Sequence, residues 1–272
     1  MISNVFNEAY YYDGDDLGAI WSKDDTKFRV WAPTASNVVL NLYEEGSGGN
    51  PMESFPMTQD INGTWIANKT GDLHGIYYTY LVTVDNVARE AVDPYARTAG
   101  VNGDRGMVID LDSTDPAGFS EEEKPIMVNS TDAFIYELHV RDFSIDANSG
   151  MQNKGKYLAF TETGTTTPSG EKTGVDYLVD LGITHIHLLP VFDYASVDET
   201  TPTKNEYNWG YDPKNYNVPE GSYSTDPHKG EVRVKEFKQM VQSIHNNGIR
   251  VIMDVVYNHT FNTESSLNQV VP

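Results

Sequence analysis

The sequence predicts a multidomain chain: an all-β sandwich followed by a parallel β/α region too short to close into a barrel. Three observations carry this reading. Apolar residues alternate with a period of two through roughly the first 110 positions, as half-buried strands require. From Ala133 onward that rhythm gives way to apolar runs separated by amphipathic stretches, the pattern of strand–helix–strand units. Only three such runs occur, in roughly 140 residues, where an eight-stranded parallel barrel typically needs about 250.

The first region, 1–112, reads as short antiparallel strands. Phe28 and Val30 alternate with Arg29 and Trp31, and Ala32-Pro33 ends that run. Val38, Leu40 and Leu42 alternate with Val39, Asn41 and Tyr43. The segment from Gly46 to Pro51 is a glycine-rich loop, and Asn62-Gly63 is the strongest hairpin-turn signal in the chain. Trp65-Ile66-Ala67 and the run from Ile76 to Val84 follow it. Strands and turns at these intervals predict a small immunoglobulin-like sandwich. Residues 113–131 hold proline, glycine and a short acidic run, and read as a polar linker.

The second region, 132–272, alternates strand and helix. Phe134–Val140 is its first strand. Val175, Leu178 and Val179 mark a helix face, with Gly182 where a C-terminal glycine belongs. Ile183–Pro190 is the second strand. Phe237, Met240, Val241 and Ile244 mark the next helix, stopped by Gly248. Ile249–Val256 is the third strand, apolar nearly throughout, as fits a strand covered on both faces. The expected architecture is therefore a sandwich followed by the first three β/α units of an incomplete (β/α)8 TIM barrel, the chain stopping inside that fold. No internal repeat is present.

Composition narrows the function classes. Forty acidic against 19 basic residues give a formal charge of −21, which repels nucleic acid and anionic lipid, so neither is expected as a partner. A neutral polysaccharide is indifferent to that charge, and 17 tyrosines with 4 tryptophans lean toward glycan handling. The absence of cysteine excludes disulfides, thiolate metal sites and cysteine nucleophiles. The start, Met1 to Glu8, lacks a basic region followed by an apolar run, and no stretch reaches 18 apolar residues. A cytoplasmic protein is the expectation, with a secreted protein whose leader has been removed as the alternative.

Two motifs carry chemistry. Tyr207-Asn208-Trp209-Gly210-Tyr211-Asp212-Pro213 packs aromatic rings, an amide and a carboxylate around a glycine, a poor helix and a poor strand but a rigid loop. Flat rings beside hydrogen-bonding groups suit a pyranose, which offers C–H faces and a rim of hydroxyls; packing against its own domain is the plainer alternative. Asp254 is a carboxylate within an apolar strand, and a buried unpaired charge is costly, so it must meet a cation or several donors.

The heptapeptide resembles the YNWGYDP signature of type I pullulanases, the α-1,6-debranching enzymes of the α-amylase superfamily. Asp254–His259 is similar to the first shared region of that superfamily, and Phe28–Ala35 resembles the carbohydrate-binding module of family 48. The resemblance implies retaining hydrolysis of α-glucan branch linkages, with pullulan, branched dextrins and glycogen as substrates. It implies that Tyr211 stacks under a sugar, that His259 hydrogen-bonds its hydroxyls, and that Asn208, Trp209 and Asp212 shape the loop and touch the branch-side chain. Asp254 would be a structural acid paired with an arginine outside this chain. The family's nucleophile, acid and second aspartate come from strands four, five and seven, so no catalytic carboxylate is expected in this chain, and Glu137, Asp142 and Asp212 are not substitutes for them. The C-terminal remainder of such an enzyme is then an expected partner. No cofactor is required; Asn258 matches a position that ligates calcium in many α-amylases, which keeps that ion open. A non-catalytic α-glucan-binding protein and an isoamylase-like or glycogen-debranching enzyme are the alternatives.

Overall fold

The computed structural model describes residues 4–201 and 206–271, which fall into two units. The first takes residues up to Asp110, Lys214–Val218 and the chain from His259 onward; the second takes Leu111–Pro213 and Pro219–Asn258.

In the first unit a short helix, α1 (Asn4–Tyr10), precedes nine strands. These are β1 (Gly18–Trp21), β2 (Asp25–Trp31), β3 (Asn37–Tyr43), β4 (Glu53–Pro56), β5 (Thr58–Gln59), β6 (Thr64–Thr70), β7 (Tyr77–Val84), β8 (Val87–Ala91) and β9 (Gly106–Met107). One sheet has the order β1-β2-β6-β5 and the other β4-β3-β7-β8, with β9 on β7. The expected alternation holds where the two sheets meet. Phe28, Val30, Val38, Leu40, Leu42, Tyr78, Tyr80 and Val82 form one buried cluster with Trp65. Burying such side chains contributes about 1.5–3 kcal/mol each. The two core phenols are satisfied rather than merely enclosed: Tyr78 and Tyr80 donate to Asp93 Oδ2 at 2.8 and 3.2 Å. Burial pushes that aspartic acid up to about 6, against the donors that favour its charge.

Tyr43 belongs to the face of β3 expected to be outward, yet it is buried. The guanidinium of Arg105 lies 3.5 Å from the centre of its ring, and its hydroxyl donates to Glu90. β8 carries no alternating apolar signal because it ends its sheet and is exposed along most of its length; its turn, Asp85-Asn86, has no glycine, although both residues take left-handed φ (51° and 61°). Asn62 and Gly63 are likewise left-handed (51° and 76°), as their turn signal implied.

The second unit is built on a parallel sheet in the order β10 (Ile135–Leu138), β11 (His185–Leu188), β14 (Arg250–Met253). Ile135 pairs with His185, and His185 with Arg250. Helix α2 (Gly174–Leu181) connects the first two strands. β12 (Phe192–Tyr194), β13 (Pro213–Pro219), whose residues Lys214–Val218 are counted with the first unit, and helix α3 (Gly230–Asn246) precede the third in sequence. Met240 and Ile244 of α3 are fully buried, with Phe237 and Val241 packed against the same cluster. Gly182 and Gly248 both adopt left-handed φ just past their helices. Among the described residues, no helix is long and apolar enough to cross a membrane.

Four expectations change. Val179 is 44 % exposed, so the buried stripe of α2 is Val175 and Leu178 alone. The third strand is not covered on both faces: it is half-exposed, with Met253 at 43 %, because among the described strands it pairs only with β11. The polar segment read as a linker lies along α3 instead. Lys238 Nζ donates to Leu111 O and Thr114 Oγ1 (2.8 Å each), His245 Nδ1 is 2.6 Å from Glu122, and Arg250 Nε donates to Pro125 O. Polar groups rather than apolar burial hold it, a signal that composition does not carry. The span 132–272 is divided as well. Val270, on helix α4 (Ser266–Val270), belongs to the sandwich core. Asn215 and Asn217 donate to Gly103 O and Pro94 O.

Gly63 tests the hairpin. A Cβ there would meet Cβ and Cα of Pro33 at 2.5 and 2.8 Å, whereas at Gly49, also left-handed, nothing lies within 4 Å. Gly63→Ala should destabilise by about 2–4 kcal/mol in urea unfolding, and Gly49→Ala by only about 1 kcal/mol, the conformational cost alone.

Candidate functional site

The aromatic loop Tyr207–Pro213 follows the second parallel strand, on the side where the C-terminal ends of such strands place ligand sites. Its shape is set by its own polar side chains. Asn208 Nδ2 donates to Asp212 Oδ1 at 2.8 Å, and Asn208 Oδ1 accepts the Gly210 N–H at 2.8 Å. Asp212 also accepts from Ser196 Oγ. Gly210 has φ 88°, and a Cβ would lie 2.9 Å from both Cβ and O of Pro190, so only glycine fits. The loop therefore projects its rings outward: Trp209 is 61 % and Tyr211 37 % exposed, and Tyr207 is exposed as well.

Tyr211 donates from its hydroxyl to Asp254 Oδ2 at 2.5 Å. That hydrogen bond, followed by burial and the nearby negative charge, pushes the phenol up to about 12, so it stays neutral and keeps donating. Asp254 is thus not a charge buried in a strand. It lies one residue past the end of β14, half-exposed, and the Tyr211 hydroxyl is one of the donors it was expected to meet. Asn258 is exposed. His259 is exposed too and is counted with the first unit, where its backbone carbonyl accepts from Tyr216 Oη at 2.6 Å. The structure thus joins Tyr211 to Asp254 and Asn208 to Asp212. Asp142 pairs with its neighbour Arg141 at 3.0 Å, and Glu137 lies 3.9 Å from His187 Nδ1.

Two features escaped the sequence. The first is His139, just past β10 and 6 % exposed, whose Nε2 is 2.8 Å from the Asn208 carbonyl. The second is a buried ionic group. Arg233 reaches Glu199 with both terminal nitrogens (2.7 and 3.2 Å) and Asp193 at 3.5 Å. It also donates to the carbonyls of Pro219 and Pro227. Glu220 completes the group and accepts the N–H of Ser222 and of Tyr194. Burial first, then the charges of Glu199 and Asp193, push Glu220 well above the usual carboxylate range. One signal for it was present: Arg233 shares the stripe of Phe237, Met240 and Ile244 at helical spacing, and a charge on an apolar stripe needs a buried partner.

Asp193, Glu199 and Glu220 form the one cluster among the described residues with three acidic ligand atoms close enough for a metal, within 4.8 Å of one another. The donor set does not suit an ion, because the guanidinium already supplies the positive charge there, and Asn258 is not part of it.

Comparison with known proteins matches two families to the chain. The carbohydrate-binding module 48 family (isoamylase N-terminal domain) matches residues 16–96, and the alpha amylase catalytic domain family matches residues 157–271. A pullulanase of Bacillus subtilis (strain 168) is 44 % identical over 262 residues, 96 % of this chain. A pullulanase from Paenibacillus barengoltzii, solved in complex with maltohexaose and α-cyclodextrin, superposes with a TM-score of 0.96 at 50 % identity over 98 % of the chain. One from Anoxybacillus sp. LM18-11, complexed with maltotetraose, gives 0.94 at 44 % identity over 99 %. The chain spans only part of each: 35 %, 42 % and 39 % of their respective lengths.

The buried group yields a paired expectation. Arg233→Met strands ionised carboxylates in the interior and should cost about 3–5 kcal/mol. Glu220→Gln keeps only one of the two acceptor oxygens and should cost about 1–3 kcal/mol at pH 4. The folded protein holds the Glu220 proton after the unfolded chain has lost it, near pH 4.3. Wild-type stability should therefore fall, relative to the Gln variant, as pH rises above about 4.3, and level off once the folded carboxyl ionises. Urea unfolding from pH 4 to 8 checks the sign.

Proposed function

We propose that this chain, a pullulanase-like member of the α-amylase family with a carbohydrate-binding module 48, is the glucan-engaging N-terminal part of an α-1,6-debranching hydrolase. The observation that carries the reading is the loop that fixes Trp209 and Tyr211 as exposed rings after the second parallel strand. Relatives that share this region have been crystallised with maltohexaose and maltotetraose. Branched α-glucans, pullulan and dextrins among them, are the proposed ligands.

Each side chain has a task in this reading. Asp254 holds the Tyr211 phenol, which fixes the tilt of the ring against a sugar. A donating phenol also leaves its π face electron-rich, suited to the positive charge that develops on a sugar ring during glycoside cleavage. Trp209 offers a second apolar platform. Asn208 and Asp212 act on the loop, holding the two rings in register. His259 is assigned hydrogen bonding to sugar hydroxyls. Retaining hydrolysis needs two carboxyl groups about 5–5.5 Å apart across the scissile bond. Glu137, Asp142 and Asp212 are not assigned to that pair, and Asp212 already serves the loop. The chain by itself is accordingly assigned binding without cleavage, and the remainder of the enzyme is its proposed partner.

Titration calorimetry with maltotriose and reducing-sugar assay on pullulan test this together. The 272-residue chain should bind maltotriose and release no sugar from pullulan. Tyr211→Ala should weaken binding by about 0.5–1.5 kcal/mol, the worth of an aromatic contact beyond its area. Sugar release by the pure chain would overturn the assignment, as would unaltered affinity in the alanine variant. Calcium is tested separately: among the described residues the one acidic cluster is neutralised by Arg233 and excludes Asn258, so a melting temperature lowered by EDTA would point to an ion held through Asn258 and an unchanged one would count against it.

A further inference from the structure

We propose that His139 is a positioning residue for the sugar-stacking loop, an Nε2-protonated imidazole that pins the Asn208 carbonyl to the end of the first parallel strand. The inference rests on the glucan-binding reading above and adds a residue to the same site.

The proton's place follows from the partners. Asp142 N–H points at His139 Nδ1 from 3.3 Å, so Nδ1 must accept. In a neutral ring the proton is then on Nε2. Nε2 faces the carbonyl of Asn208 at 2.8 Å, which can only accept, and the hydroxyl oxygen of Tyr223 at 3.0 Å. The opposite tautomer would set an imidazole lone pair against a carbonyl lone pair and an N–H against an N–H. Burial keeps the ring below the ordinary histidine range, in its neutral form at pH 7.

The ring is also held in place. Tyr207 lies tilted on it at 4.9 Å between centroids, and Tyr223 meets it edge-on at 5.8 Å. Tyr223 is itself fully enclosed by Tyr157 and Tyr194. The Asn208–Asp212 and Asn208–Gly210 bonds are internal to the loop and fix its shape, not its place. His139 ties that preformed loop to β10. Without that tie the clasp opens more often, the Gly210 N–H with it, and Trp209 and Tyr211 leave the orientation that Asp254 sets.

Three measurements on this chain decide the matter. Nitrogen-15 spectra of the imidazoles should show His139 as the Nε2–H tautomer. In His139→Leu, hydrogen exchange of the Gly210 amide should rise and maltotriose affinity should fall, each by about fivefold, the loss of one hydrogen bond. His139→Gln places an amide donor near the position of Nε2 and should keep both within about twofold of wild type. His139→Asn, whose amide is too short to reach, should behave like the leucine variant and replaces it if that variant does not fold. An Nδ1–H tautomer overturns the proposal, as does unchanged Gly210 exchange in a folded Leu or Asn variant, or a Gln variant no better than these. Failure of even the wild type to bind maltotriose would sink the glucan reading, while tautomer and exchange would still decide the pin.

Discussion

A single buried guanidinium underlies the part of this protein to which function is assigned. Arg233 stands on α3, and its partners come from both stems of the segment that carries the exposed rings. Asp193 and Glu199 precede the loop, while Pro219 and the turn through Gly221 follow it. Glu199 also accepts the Gly221 N–H at 3.1 Å, and a Cβ on Gly221 would collide with both Arg233 and Glu199 at 2.3 Å. Polar rather than apolar closure makes the geometry specific. Hydrophobic contacts tolerate a shift of an ångström, whereas a buried forked pair loses its compensation for desolvation when it moves. The cost is carried by a well-packed surround in which Tyr157, Tyr194 and Tyr223 stack edge-on around the neighbouring backbone.

The sandwich solves a similar problem differently. Its core contains two phenols and a carboxyl group, with Asp93 accepting from Tyr78 and Tyr80 while the Tyr95 N–H takes the other oxygen at 2.8 Å. Burial raises the acid to about 6, and the three donors together with the charge of Arg97 work against that rise. The two units thus treat interior acidity differently: hydrogen-bond donors converge on one carboxyl group in the first, while an arginine and a raised Glu220 share the task in the second. A chain with a formal charge of −21 can afford few interior carboxylates without one or the other.

What the sequence made legible was whatever one face of one element determines. Phe28, Val30, Leu40 and Leu42 declared themselves because alternation records a single buried side, and Met240 and Ile244 because a helical stripe does the same. Residues whose burial depends on a distant partner stayed hidden. Tyr43 is covered by Arg105, sixty-two positions away by number, and Asp254 meets Tyr211 across the turn of the fold. Val179 shows the converse error, an apolar residue beside a stripe but not on it. The heptapeptide told where the loop was, and its internal Asn208–Asp212 bond is local enough to be inferred in hindsight. The contribution of His139 could not be: nothing in Leu138-His139-Val140 distinguishes a pin from a satisfied strand-end histidine until Asn208 is placed beside it.

The Arg233 closure also separates length from geometry. Since Asp193 and Glu199 are already fastened to the turn at Gly221, the chain between Glu199 and Tyr207 need not itself bring the two stems together. The entropy of closing that connection grows only with the logarithm of its length, about 0.6 kcal/mol per doubling. Lengthening the sequence between Glu199 and Tyr207 is therefore expected to cost little stability, because a buried polar closure, and not the connection, sets the separation of the two stems.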